Sequence, residues 1–155
     1  MKPTCLRNPL LAALLLGPAL VSNGYAVTES TGDYRIFTFS AEEPYFYKDG
    51  KVDFGTYNGF RRYHSECHVC HGPAGLGSSY APALMKSMET MTFAQFVDVV
   101  VRGRQQRANF VMPGFAENMN VLPYLHDMFA YLKARADGAI PGATRPAKFP
   151  KVDIK

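Results

Sequence analysis

The sequence is poor in several features that would have settled its class at once. It has only three cysteines in 155 residues and no second cysteine pair, which a structural zinc site usually needs. The one long apolar stretch, residues 10–21, falls short of the roughly 20 residues that cross a bilayer and contains Pro18. A retained membrane anchor is therefore not expected. Charge of either sign is modest: 17 Lys and Arg stand against 13 Asp and Glu, far from the dense basic face that nucleic acid requires. A chain of this length builds one domain around one core.

What is present begins at the amino terminus. Lys2 and Arg7 precede the apolar stretch, and the small residues Gly24 and Ala26 follow at signal-peptidase spacing, so residues 1–26 read as a secretory leader. Cys5 lies ahead of the apolar stretch, too early to be a lipoprotein acylation site. Cleavage after Ala26 removes Cys5, Lys2 and Arg7, leaving 15 basic and 13 acidic residues, a charge of +2. The expected location is the periplasm, an oxidising compartment.

Residues 64–77, HSECHVCHGPAGLG, hold two cysteines, three histidines and three glycines. Their centre is C-x-x-C-H: Cys67, Cys70 and His71. A structural disulfide leaves His71 unexplained, zinc lacks a second pair, and thioredoxin-like exchange lacks a βαβ pattern around the motif. One covalent haem uses all three residues, with thioethers to Cys67 and Cys70 and His71 as the proximal iron ligand. His68 reads as a solvated surface histidine and His64 as a bystander one helical turn ahead.

An electron-transferring haem closes its second axial position, usually with Met or His. Met112 in FVMPGFAENMN is the best-placed candidate, because Pro113 and Gly114 turn the chain between two predicted helices. Met85, Met88, Met91 and Met119 are weaker, while Met128 and His126 fall on a helix.

Three helices are expected. One runs into the motif with Phe60, Tyr63 and Cys67 on one side; a second is capped by Thr92, carries Phe93, Phe96, Val97 and Val100, and stops at Gly103. The β-branched run Val99–Val101 makes a strand the competing reading there. The third starts at Asn120, has Pro123 in its first turn and a Leu125, Met128, Phe129, Leu132 stripe, and ends at Gly138. Between the first two, GPAGLGSSYAPAL is too rich in glycine and proline for a helix. There the Pro82 carbonyl is expected to accept the Nδ1–H of His71, fixing the ring and its basicity.

These residues resemble class I c-type cytochromes. Gly59, eight residues before Cys67, and Tyr63, four before it, match the small and aromatic positions where that family's first helix crosses its last; Tyr131 in DMFAYLK matches the aromatic partner. The resemblance covers residues 54–137. It implies an all-α fold of three main helices and loops wrapped around one covalent haem c. A longer stretch is similar to the periplasmic cytochromes that serve pyrroloquinoline quinone (PQQ) alcohol dehydrogenases, the cytochrome c-L and methanol-metabolism group. DGKVDFGTYNGFRRYHSECHVCHGPAGLGSSYAPAL, VMPGF and YLKARADG carry it. That group implies His71/Met112 ligation and a partner enzyme oxidising methanol or ethanol. One departure is charge: familiar cytochrome c-L proteins are often acidic, and this chain is slightly basic.

The expected organisation is a leader at 1–26, an irregular extension at 27–53, a cytochrome domain at 54–138 and a flexible Pro- and Lys-containing tail at 139–155. The protein would be a monomeric electron carrier rather than an enzyme, taking electrons from the dehydrogenase and passing them to a downstream cytochrome or terminal oxidase. Arg61, Arg62, Arg102, Arg104 and Arg107 are candidates for docking or for pairing with haem propionates. Competing readings are a general carrier fed by a quinol-oxidising complex, and a haem sensor or peroxidase with an open sixth position.

Overall fold

The computed structural model describes residues 24–28, 34–107 and 110–150. Residues 1–23 of the expected leader and residues 151–155 of the tail lie outside them.

The framework is a crossing of two helices. Helix α1, Phe54–Glu66, begins where the buried Asp53 carboxylate accepts from the Thr56 backbone N–H at 2.9 Å and from its hydroxyl at 2.6 Å. Helix α5, Leu125–Ala136, is buried along most of its length. The two meet at Gly59, where an added β-carbon would lie 1.8 Å from the Asp127 carbonyl oxygen, so only hydrogen is tolerated. Beside that contact Asn58 Nδ2 donates to Asp127 Oδ2 at 2.7 Å, and the Tyr63 and Tyr131 rings pack at 5.7 Å. The core continues through Met88, Phe96, Val100, Val121, Leu125, Met128, Phe129 and Leu132.

Five α-helices rather than three are present among the described residues. Helix α2, His68–His71, carries the motif, and α3, Met85–Thr90, buries Met88. Six residues with one fully buried position give too little periodicity for α3 to be read from sequence. Helix α4, Phe93–Arg102, wins over the strand alternative despite its valine run, because Thr92 and Gln95 close a full capping box and Phe96 and Val100 share a buried face. Asn120 does not cap the last helix: a 3-10 turn, Leu122–Tyr124, absorbs Pro123, and the α-helix starts at Leu125.

Short antiparallel ladders complete the fold. β1, Gly24–Thr28, pairs with β2, Tyr34–Thr38; β3, Tyr47–Lys48, pairs with β4, Lys51–Val52; β5, Arg104–Arg107, pairs with β6, Phe110–Met112. The irregular, aromatic extension, for which a short hairpin or a wrap around the domain is expected, contains the β1–β2 and β3–β4 pairs. The tail read as flexible is docked over 139–150: β7, Ala147–Lys148, adds in parallel to β4, and Phe149 is buried against Phe46. Spaced prolines concealed one β-pairing and one aromatic anchor. No helix among the described residues is long and apolar enough to cross a membrane.

Candidate functional site

The motif lies on two successive turns. Cys67 ends α1, its N–H bonded to the Tyr63 carbonyl at 2.8 Å; the His71 N–H reaches back to the Cys67 carbonyl at 3.0 Å. Cys70 is exposed and Cys67 half-buried, and both are free thiols. Before haem attachment, burial, with Glu66 and Cys70 adding, pushes the Cys67 thiol up to about 12.

His71 Nδ1 lies 3.1 Å from the Pro82 carbonyl oxygen, the contact expected from the sequence. A carbonyl only accepts, so Nδ1 carries the proton and Nε2 keeps its lone pair for a metal. The intervening loop is held along its length: Gly77 N–H donates to the His71 carbonyl at 2.7 Å, Ser78 N–H donates to Ala81 O at 2.9 Å, and the Ser78 hydroxyl donates to the Cys70 carbonyl. Gly77 is required by close approach, since a β-carbon there would meet the Ala83 nitrogen at 2.7 Å.

Neither flanking histidine is a solvated bystander. His64 is half-buried against Phe60, Tyr63 and Tyr131 and bonds the Phe60 carbonyl through Nδ1 at 2.8 Å. His68 stacks on His64 at 5.8 Å, and its Nδ1 is buried without a hydrogen-bond partner. Helical i,i+4 spacing was the available signal for this pair.

Met112 closes β6, half-buried and packed on the core. The following Phe115 N–H bonds the Val100 carbonyl at 2.9 Å, tying this segment to α4. Of the other described methionines, Met88 and Met128 are fully buried and Met119 is 71% exposed, while Met85 and Met91 are, like Met112, half-buried on the core, the Met85 methyl lying against Gly75 on the loop following His71. His126 stacks on Phe93 and lies beside Phe39, among aromatic side chains.

These residues fit a covalent haem. Two unpaired thiols and an imidazole with its Nε2 free sit within one helical turn. Large apolar side chains stand exposed in the two segments bearing Cys70 and Met112: Val69, Leu76 and Tyr80 in one, Val111 and Met119 in the other. Among the described residues no group of three or more His, Cys, Asp or Glu could hold a metal ion by itself.

The candidate arginines do not act alike. Arg62 lies 3.6 Å over the Tyr124 ring, and Arg102 pairs with Asp98 at 2.8 Å on the surface. Arg61 and Arg104 are exposed, and the Arg107 side chain is outside the described residues.

No family model matches the sequence. It is 49% identical over 138 residues to cytochrome c-553I of Paracoccus denitrificans, covering 85% of this chain and 60% of that protein's length. It is 34% identical over 141 residues to cytochrome c-555 of Methylococcus capsulatus, covering 90% of this chain and 91% of that protein. Among solved structures, the c-type cytochrome XoxG from Methylobacterium extorquens AM1 is similar at a TM-score of 0.63 and 42% identity, over 81% of this chain and 74% of that one.

Proposed function

Because the chain belongs to the c-type cytochromes, whose cofactor is covalently bound haem c, we propose that it is a periplasmic monohaem carrier accepting electrons from a PQQ-dependent methanol or ethanol dehydrogenase. The observation that carries the redox reading is the His71 Nδ1 contact to Pro82 O at 3.1 Å beside two free thiols. The alcohol reading rests on the similarity of residues 49–84 and the segments around Met112 and Tyr131 to the cytochrome c-L group.

Bound haem supplies reversible one-electron chemistry. Cys67 and Cys70 would hold it covalently, His71 Nε2 and the Met112 thioether would ligate its iron, and Pro82 would fix the imidazole. A methionine thioether among the ligands would favour the reduced iron and raise the potential. Val69, Leu76 and Tyr80 form the apolar margin against which a partner docks briefly, and Arg61 and Arg104 guide the encounter by charge. Two encounters drain one two-electron turnover of the dehydrogenase, and the electrons leave towards a downstream cytochrome or terminal oxidase.

The test is rapid mixing of oxidised, haem-loaded protein with a PQQ dehydrogenase oxidising methanol or ethanol, with a quinol-oxidising donor in parallel. Fast reduction by the dehydrogenase alone is expected. Reduction only by the quinol-oxidising donor would leave a general carrier and remove the alcohol pathway.

A further inference from the structure

The segment directly after His71 is gripped from behind by α1. Tyr63 is fully buried, and its hydroxyl donates to the Gly72 carbonyl at 2.7 Å. Two residues on, Ala74 is fully buried with φ +55°, a left-handed conformation that an alanine rarely holds unless its surroundings enforce it. They do enforce it. The Ala74 N–H donates to His64 Nε2 at 3.4 Å, and its carbonyl accepts from Arg135 Nε at 3.5 Å. Arg135 is itself buried and also donates to the Ile140 carbonyl. His64 can accept from Ala74 only as the Nδ1–H tautomer, which its 2.8 Å bond to the Phe60 carbonyl selects.

Tyr63 and His64 both hold the peptide that follows His71. We propose that Tyr63 and His64 are positioning residues for His71, holding the Gly72–Ala74 strap so that the Nδ1–H of His71 stays on Pro82 O. The inference rests on the haem reading above. A tight Nδ1–H bond makes the imidazole a stronger donor and lowers the potential; a loosened strap weakens that bond and raises it.

His64 makes the device sensitive to acid. Protonation puts a hydrogen on Nε2 and ends its acceptance from Ala74. The groups facing the ring are Tyr63 on the same helix, His68 on α2 and Tyr131 on α5, with Arg135 close to both tyrosines. Burial already disfavours the imidazolium.

The experiment measures midpoint potential between about pH 4 and 8 on haem-loaded wild type, Tyr63→Phe, His64→Leu and His64→Gln. Tyr63→Phe and His64→Leu are expected to raise the potential at neutral pH. Wild type is expected to show a rise on acidification that His64→Gln lacks, while His64→Gln keeps the wild-type potential at neutral pH because its amide oxygen accepts from Ala74. Variants that lose thermal stability but keep the wild-type potential and its pH profile would overturn the proposal. Should Tyr63→Phe not fold, the His64 pair decides alone. A wild-type protein that takes up no haem fells the haem reading and this one together; a loaded wild type with unshifted variants fells only this one.

Discussion

Gly59 and Asp127 meet backbone to backbone, so closely that a β-carbon on Gly59 would sit 1.8 Å from the Asp127 carbonyl oxygen. That contact sets the distance between α1 and α5, and thereby places the Cys67 end of α1 relative to the buried face of α5. Gly59→Ala must push the helices apart or bend one of them. The expected cost is about 3 kcal/mol, the upper end for overpacking a tight core, read as a lower denaturation midpoint of the haem-loaded protein. A variant as stable as wild type would show that the crossing is not close in solution.

Replacing Met112 by Ala should remove the methionine charge-transfer band of the oxidised protein, lower the potential, and let an added ligand such as imidazole bind the iron. Met119→Ala should do none of these. Met119 is 71% exposed, whereas Met112 is anchored beside α4 through Phe115 and Val100. Should Met112→Ala keep the band, the sixth ligand is another residue, and the half-buried Met85 and Met91 become the first to test.

What could be read from sequence follows how local each signal is. The C-x-x-C-H motif and the Thr92 cap each announce themselves within a few residues, whereas the crossing positions Gly59 and Tyr63 are legible through the resemblance to class I c-type cytochromes. The Pro82 contact was legible because a metal-binding imidazole needs a partner for its other nitrogen. The roles of Tyr63 and His64 were not, because their partners Gly72 and Ala74 are reached only after the loop folds back. The docked tail was missed for the same reason: a two-residue parallel pairing of β7 with β4 has no periodicity of its own.

That tail pairing has a measurable energy. Phe149 N–H bonds the Val52 carbonyl at 2.9 Å, the Phe149 ring packs at 5.7 Å on Phe46, and Arg145 and Lys148 lie over Tyr57 at 5.1 and 5.3 Å. Phe149→Ala should cost roughly 3 kcal/mol, in the range for truncating a buried phenylalanine, measured by chemical denaturation. Lys148→Ala, which removes only the cation–π contacts of an exposed lysine to Phe54 and Tyr57, should cost under about 1 kcal/mol. Equal small effects would mean that the tail is not docked in solution.

Charge reversal separates docking from packing. Arg61→Glu alters an exposed side chain, whereas Arg62→Glu also strips a cation from the Tyr124 ring. If Arg61 faces the donor, its reversal should slow reduction severalfold at low salt, with the difference closing as ionic strength rises, and leave stability unchanged. Stopped-flow reduction by the dehydrogenase across a salt series reads this. A rate independent of salt in both proteins would remove Arg61 from the docking face.

His126 should give the protein an acid-side weakness that owes nothing to haem. Its ring is stacked on Phe93 at 4.5 Å and edge-on to Phe39 at 4.6 Å, and although the residue is exposed on its other side, this partial burial lowers its pKa below the ordinary 6.5, an effect that solvent keeps small. The native state therefore favours the neutral ring, while the unfolded chain takes up a proton as pH falls through about 6.5. Below that point the unfolded state binds more protons than the native one, so unfolding becomes easier with each step down, until the native ring also titrates and the loss levels off. His64, whose pKa is lowered by burial in the same way, contributes in the same direction. His126→Gln should flatten part of the fall in denaturation midpoint between pH 6.5 and the native pKa, and the double variant with His64→Gln should flatten more of it. An unchanged slope in both would place the acid sensitivity on the carboxylates instead, with Asp53 and Asp127, the two buried aspartates, the next to replace.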